Sequence, residues 1–445
     1  MIQKESITFG DLGISIDVLK RLTSKNLINP TPIQKDCISV GLEGKDIVGI
    51  AQTGTGKTLA FGIPALEQIL KNDAKCLILL PTRELAIQVE EVLAGLGRRL
   101  GIKTALLIGG ASSFPQKKEL QRNPDIIVAT PGRIIDHIKQ KNCDLRNINF
   151  VVLDEADRML DIGFMPQIKQ VLKTVPKDRQ TMLFSATIPA EIQGLTNQYM
   201  QNPTKIEVAP SGTSANNIHQ TAHIVSSKNK LSLLKKLIQD REGSVLIFTR
   251  TKYKAKDLAA ILRENRFTAI EMHSNRSLPQ RRRALQGFKS GQYKILIATD
   301  VAARGLDVDD ISLVINHDLP DSLEDYVHRI GRTGRAGKKG EAISFVKPTE
   351  KMKLKMIEKI IRRNIETIEP KLEKIAPNNK TKQSKNRKPF SKGKDKDKDK
   401  PKSTNDWHKK KKAFKNKTSK RRKHNHLEPK TFKKPRHKRR KNKQS

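Results

Sequence analysis

Ile47-Val-Gly-Ile-Ala-Gln-Thr-Gly-Thr-Gly-Lys-Thr58 joins a short apolar run to a glycine-rich turn that ends on a lysine and a hydroxyl. The run predicts a buried strand, and the turn predicts the entry to a helix. A turn of this kind aims backbone N–H groups at phosphate oxygens. Lys57 adds a point charge near the β and γ positions of a bound nucleotide, and Thr58 offers a hydroxyl to magnesium. Nucleotide contacts are therefore expected from Ala51, Gln52, Thr53, Gly54, Thr55, Gly56, Lys57 and Thr58. The general pattern carries Gly at its first position, where this chain has Ala51.

Similar apolar runs, rich in β-branched residues, recur on both sides of this one. In the first half they fall at 47–50, 76–80, 105–108, 126–129, 150–153 and 181–184. In the second half they fall at 245–248, 269–272, 295–298, 313–316 and 342–346. Alternation with amphipathic helical stretches predicts an α/β fold of parallel sheets covered on both faces. The pattern restarts once. Small polar residues between the two sets predict a linker over 209–220, separating a domain at 1–208 from one at 221–370. A charge-rich helix is expected at 352–363.

Phe150-Val-Val-Leu-Asp154-Glu155-Ala-Asp157 is an apolar strand ending in three carboxylates. Ligands of parallel sheets bind at the carboxyl ends of strands, so this cluster should face the crevice of the glycine loop. Asp154 is placed to hold Mg²⁺, directly or through water, and Glu155 to orient or deprotonate an attacking water. A solvated acidic turn would be the simpler reading if the glycine loop did not stand about 100 residues upstream.

His328-Arg-Ile-Gly-Arg332-Thr-Gly-Arg335-Ala-Gly337 sets arginines between glycines, which suits a tight turn presenting guanidinium groups to an anion. Arg332 and Arg335 would then reach a nucleotide from the second domain, as arginine fingers do in phosphoryl transfer. The alternative is a general phosphate-binding loop that touches RNA. His328 is expected to orient a neighbour rather than to act as a base.

Composition restricts the partners. The chain has 445 residues, 36% hydrophobic, and a formal net charge of +42. The last 75 residues, 371–445, hold 32 Lys and Arg against 6 Asp and Glu, so most of the excess charge lies there. That tail has no apolar periodicity and is expected to be disordered. Its basic runs at 409–412, 421–423 and 438–441 suit a nonspecific polyanion tether, and a solubilising appendage is the plainer alternative. Cys37, Cys76 and Cys143 show no paired spacing, which argues against disulfides or a cysteine-rich zinc site. No run approaches 18 apolar residues and no leader pattern opens the chain, so a cytoplasmic protein without membrane association is expected.

Taken together, these segments resemble the DEAD-box family of ATP-dependent RNA helicases, in order, through essentially all of residues 6–370. Residues 154–157 match the tetrad that names the family. Phe9 with Pro30-Thr-Pro-Ile-Gln34 resembles its Q motif, which implies that Gln34 reads the adenine edge and Phe9 packs near the base. The family usually has Gly-Phe or Gly-Tyr where this chain has Asn26-Leu27. Residues 81–86, Gly109-Gly110 and Thr130-Pro-Gly-Arg133 resemble the first-domain RNA motifs, and Ser185-Ala-Thr187 the motif coupling hydrolysis to strand separation. Residues 246–250, 280–283 and 298–307 resemble the second-domain set.

The resemblance implies two tandem RecA-like domains, ATP and Mg²⁺ as cofactors, and RNA contacts from Arg83, Gly110, Arg133 and Thr299, with Asp307 on the ribose. It also implies local, non-processive unwinding of RNA duplexes by a monomer, with little sequence preference. A compact core followed by a basic tail looks most like the bacterial RhlE-like subgroup. Ribosome assembly, RNA decay with a nuclease partner, and cold adaptation fit equally as settings, and the sequence leaves the client RNA open. Two other readings remain open at this point: a DNA-directed translocase of the wider superfamily, and a non-enzymatic RNA chaperone.

Overall fold

The computed structural model describes residues 7–51, 54–208, 217–303, 311–334 and 339–369, leaving aside the side chains of residues 301, 303, 323 and 324. Fourteen strands are found among them. Seven are β1 (Ile47–Ile50), β2 (Cys76–Leu79), β3 (Thr104–Leu107), β4 (Ile126–Ala129), β5 (Phe150–Leu153), β6 (Gln180–Ser185) and β7 (Thr204–Glu207). The other seven are β8 (Ile218–Ile224), β9 (Ser244–Phe248), β10 (Ala269–Met272), β11 (Ile295–Ala298), β12 (Ile311–Asn316), β13 (Gly340–Val346) and β14 (Glu366–Ile368).

All pairings are parallel, and the strands form two seven-stranded sheets. The first runs β3-β4-β2-β5-β6-β1-β7 and the second β10-β11-β9-β12-β13-β8-β14. Counted from the first strand of each set, the two orders are identical. These are the two tandem RecA-like lobes.

The near-continuous apolar strands follow from burial on both faces. Successive side chains point to opposite sides of a strand. Accordingly Cys76, Ile78, Phe150 and Val152 enter one apolar cluster of the first lobe, and Leu77, Leu79, Val151 and Leu153 the other. In the second lobe Leu246, Phe248, Leu296 and Ala298 face one way, and Val245, Ile247, Ile295 and Ile297 the other. Each Val, Leu, Ile or Phe among them contributes about 1.5–3 kcal/mol by leaving water.

Three strands escaped the sequence reading. β7 and β14 are outermost and half exposed, so they carry no apolar run. β8, Ile218-His-Gln-Thr-Ala-His-Ile, is interior yet polar, and Gln220, Thr221 and His223 are buried in it. It also starts inside the stretch read as linker, while residues 209–216 lie outside the described residues. The expected helix at 352–363 is found at Lys351–Ile361. The basic tail, 371–445, lies outside the described residues.

Candidate active site and RNA-facing loops

The glycine loop leads from β1 into the helix Lys57–Asn72. Gly56 has φ 93°, and a Cβ there would lie 2.3 Å from Gln34 Nε2. Backbone conformation and close approach therefore both call for glycine. Gln34 grips the loop: its Oε1 accepts from Thr31 N (2.9 Å) and its Nε2 donates to the Gly56 carbonyl (3.0 Å). Thr31 Oγ1 donates to the Thr55 carbonyl (2.7 Å). Thr31-Pro-Ile-Gln34 reads as a helix start, with Pro32 opening the helix Pro32–Leu42.

Phe9 is only 2% exposed, packed in the apolar cluster that also holds Leu12, Val18 and Ile33. Asn26 occupies the left-handed region (φ 57°), and Leu27 N donates to the Leu22 carbonyl at 3.1 Å, ending the preceding helix. Asparagine is the residue other than glycine that visits this conformation most easily, which accounts for the departure from Gly. Leu27 packs against the same cluster as Phe9.

Beyond the loop, Lys57 is buried with its Nζ between the Ala51 carbonyl (3.2 Å) and Asp154 Oδ1 (3.5 Å). Ala51 N donates to the Ser185 carbonyl (3.0 Å), fastening the start of the loop to β6. Thr58 is the second residue of the helix. Burial raises the pKa of Asp154, Lys57 opposes the rise, and the adjacent Glu155 adds to it. Glu155 itself stands in the left-handed region (φ 54°), a strained conformation for a non-glycine residue. Its Oε2 accepts from Arg158 Nη1 at 2.6 Å, and both side chains are buried. Burial works against its ionisation, but Arg158, Lys57 and Arg332 outweigh it and bring the carboxyl down to about 2.

Asp157 ties this turn to the 185–187 segment. Its Oδ2 accepts from Ala186 N (3.0 Å), Thr187 N (3.0 Å) and Thr187 Oγ1 (3.3 Å). Ser185 Oγ accepts from Asp157 N (3.1 Å) and donates to the Thr187 carbonyl (2.7 Å).

The opposite wall comes from the second lobe. His328 and Arg329 end the helix Leu323–Ile330, so the segment read as a tight turn throughout starts as a helix. Its first glycine, Gly331, comes only after the last helical turn, where it caps the helix. Arg332 follows, buried, with Nε donating to the His328 carbonyl (3.2 Å). Arg158 of the first lobe and Asp300, His328 and Arg332 of the second line one cleft. The protein around the His328 ring penalises its charged form and Arg158 adds repulsion, so its pKa falls to about 3 despite Asp157 and Glu155. The ring is neutral at physiological pH. Arg335, Asp307, Gln52 and Thr53 lie outside the described residues.

Two arginines that the sequence did not single out are central here. Arg158 is three residues beyond Glu155, a spacing that places the two on one helical face and could have revealed it. Arg329 lies within the 328–337 segment, but its partners are distant in sequence or spaced too irregularly to show there. It pairs bidentately with Asp300 (2.5 and 2.7 Å), donates to Asn316 Oδ1 (3.2 Å) and the Asp318 carbonyl (2.6 Å), and lies 5.0 Å from the Phe248 ring centre.

Three of the four residues expected to touch RNA come together where β2, β3 and β4 end. Arg83 lies against Gly110, whose φ of 71° and lack of a side chain admit the guanidinium. Arg133 donates to Gln116 Oε1 (3.0 Å) and to the Ala111 carbonyl (3.0 Å), beside Gly110. Thr299 stands apart in the second lobe, directly after β11. The lobes also meet near this face. Arg281 Nη1 reaches Glu84 Oε1 at 3.0 Å with both side chains nearly buried, and Leu278 packs on the first lobe's apolar cluster.

With this geometry in hand, known proteins are informative. Residues 31–195 match the DEAD/DEAH box helicase family, and residues 229–337 match the helicase conserved C-terminal domain. The ATP-dependent RNA helicase DbpA of Bacillus subtilis is 45% identical over 372 residues, covering 83% of this chain and 78% of DbpA. The DEAD-box ATP-dependent RNA helicase CshA of the same organism is 42% identical over 372 residues, 83% of this chain and 75% of CshA. Among solved structures, S. cerevisiae Dbp5 bound to RNA and ADP BeF3 superposes with a TM-score of 0.75 at 32% identity, covering 81% of this chain and 95% of that one. The chain belongs to the DEAD-box family of ATP-dependent RNA helicases.

Proposed function

We propose that this helicase hydrolyses ATP in response to RNA and uses the resulting closure of its lobes to separate short RNA duplexes locally. One observation carries the division of labour: Arg332 of the second lobe lines one cleft with Arg158 of the first, the residue that pairs with Glu155. In this reading Gln34, Phe9 and the 51–58 loop bind the nucleotide, with Gln52, Thr53 and Asp307 among its contacts. Lys57 holds the phosphates, Glu155 orients the attacking water, and Arg332 and Arg335 stabilise the transferring phosphoryl group. Thr58 and Asp154 are hard oxygen donors beside Lys57, the donor set that Mg²⁺ takes together with phosphate oxygens. Bound there, Mg²⁺ would neutralise phosphate charge.

Arg83, Gly110, Arg133 and Thr299 take the RNA, and Ser185 and Thr187, through Asp157, transmit the state of the ATP site. Contacts of this kind to the phosphate backbone carry little sequence information. ATP and RNA both favour closure, so each raises the affinity of the other by the same factor. Duplex stacking is worth about 1.4 kcal/mol per step, taking the DNA value as a proxy, so one closure melts a short duplex only.

The domain limits that fit this scheme are 1–208, a linker at 209–220, 221–370, and a tail at 371–445 acting as an RNA tether. A motor followed by a basic tail supports the RhlE-like reading; a cytoplasmic monomer working on ribosomal precursors, in RNA decay or in cold adaptation fits the same scheme. Among the described residues no helix is long and apolar enough to cross a membrane.

Steady-state ATPase with RNA and DNA homopolymers, alongside unwinding of duplexes of graded length, tests this. RNA should stimulate more than DNA, short duplexes should open, and Glu155→Gln should abolish both activities. Equal stimulation by DNA, unwinding of several hundred base pairs by one bound molecule, or full remodelling by Glu155→Gln would each overturn it.

A further inference from the structure

Gln116 and His137 are polar side chains buried to 5% and 1% exposure, and neither the ATP site nor the expected RNA contacts give them a role. They lie on two different helices of the first lobe, Ser113–Leu120 and Pro131–Lys139. A buried amide or imidazole is stable only where its hydrogen bonds are made, so the partners of these two are informative.

Gln116 uses both ends of its amide. Its Nε2 donates to the Ile108 carbonyl and to the Ser112 carbonyl, both at 3.1 Å, and so brackets the 109–111 turn. Its Oε1 accepts from Arg133 Nε (3.0 Å) and lies 3.3 Å from His137 Nε2. Two carbonyls can take only donors, so the amide orientation is fixed and its oxygen faces the ring. His137 Nε2 must then carry the hydrogen. Burial and then the Arg133 charge lower the pKa of His137, with Asp136 opposing. The ring is neutral, and its bare Nδ1 accepts from Asn142 Nδ2 (3.5 Å).

The outcome is control of one guanidinium. Arg133 and His137 stand four apart on the same helix, so their side chains share a face. Arg133 commits Nε to Gln116 and Nη2 to the Ala111 carbonyl (3.0 Å), and among the described residues Nη1 is the nitrogen left to meet a phosphate. Side chains of two helices thus hold the turn at Ile108, Ala111 and Ser112. An arginine already fixed at two nitrogens loses less rotamer freedom when it meets an anion than a free one does.

We propose that Gln116 and His137 are positioning residues for RNA: the imidazole, donating from Nε2, holds the Gln116 amide, and the amide aims Arg133 and clamps the turn that carries Gly110. Neither side chain touches RNA itself. The proposal rests on the RNA-helicase reading and adds a buried relay behind its first-lobe contacts.

The test measures binding of a single-stranded RNA to the full chain with a non-hydrolysable ATP analogue. His137→Leu should weaken binding about 3- to 10-fold, as for one lost neutral hydrogen bond, and Gln116→Leu about 10- to 100-fold, because the charged Arg133 loses its acceptor. His137→Gln, whose amide nitrogen can take the place of the imidazole Nε2–H, should recover most of the loss. A double-mutant cycle separates a relay from a general weakening of the fold. In an Arg133→Ala background His137→Leu should lose most of its effect on RNA affinity, whereas a general weakening would add in full. At saturating RNA the KM for ATP should match the wild type. RNA affinity unchanged in both leucine variants, no recovery in His137→Gln, or full additivity with Arg133→Ala would each overturn the relay and leave the helicase reading standing. If RNA fails to stimulate wild-type ATPase, both fail.

Discussion

Glu155 Oε2 and Arg158 Nη1 lie 2.6 Å apart in the turn that follows β5, and neither side chain is reached by solvent to any extent. The pair holds a charged carboxylate in a site that burial alone would neutralise. Arg332 approaches the same carboxylate from the opposite lobe. The charge of Glu155 therefore depends on a partner in its own turn and on the position of the second lobe.

Replacing Arg158 with Met should raise the pKa of Glu155. With the pair intact the folded value, about 2, lies below the ordinary glutamate value of about 4.3. The pair's stabilising effect is thus present at neutral pH and disappears as pH falls through that window. In Arg158→Met the acid limb of the kcat profile should move upward, so activity at pH 5–6 drops relative to pH 8. Unfolding should also become easier by about 3–5 kcal/mol, the usual consequence of breaking a buried pair. An unchanged pH profile would show that Arg158 does not set the charge of Glu155.

Gly56→Ala should weaken nucleotide binding by at least about tenfold. Left-handed backbone costs an alanine about 1–2 kcal/mol, and its methyl would displace the Gln34 amide. Gln34→Ala, which removes the obstacle without the strain, should lose the Gln34 contact by itself. Titration with a fluorescent ATP analogue separates the two contributions.

Asp300→Ala should destabilise the second lobe by about 3–5 kcal/mol, because it strips the buried Arg329 guanidinium of its bidentate carboxylate. Urea unfolding read by circular dichroism gives the change. A shift under about 1 kcal/mol would mean that Asn316 and the Asp318 carbonyl satisfy Arg329 without it.

Arg281→Glu should raise the RNA concentration needed for half-maximal ATPase stimulation, since it opposes two acids where the lobes meet. Combining it with Glu84→Arg should recover part of the loss. Failure of the double variant to improve on the single one would rule out a direct pairing between these residues as the cause.

Removing residues 371–445 should weaken RNA binding and flatten its salt dependence, while the maximal ATPase rate at saturating RNA stays the same. The reason is counterion release: each phosphate neutralised by Lys or Arg adds about 0.7–0.9 to the slope of log affinity against log salt. Identical salt slopes for the full and shortened chains would remove the tether from the scheme.

Much of this molecule was legible in one dimension. The loop from Ala51 to Thr58, the carboxylates after β5 and the apolar interior strands of both sheets are local patterns, because a parallel strand covered on both faces is usually apolar along its length. The polar strand β8 was not legible, because the partner of its buried Gln220 lies far away in the chain: Tyr326 Oη donates to Gln220 Oε1 at 3.0 Å across 106 residues. The same holds for Arg329 with Asp300, for Arg281 with Glu84, and for the approach of Arg332 to Glu155. Sequence by itself determined which chemistry each strand end can offer. Tertiary structure decided which of those ends meet, because pairing of buried charges depends on distances that only the packing of two lobes creates.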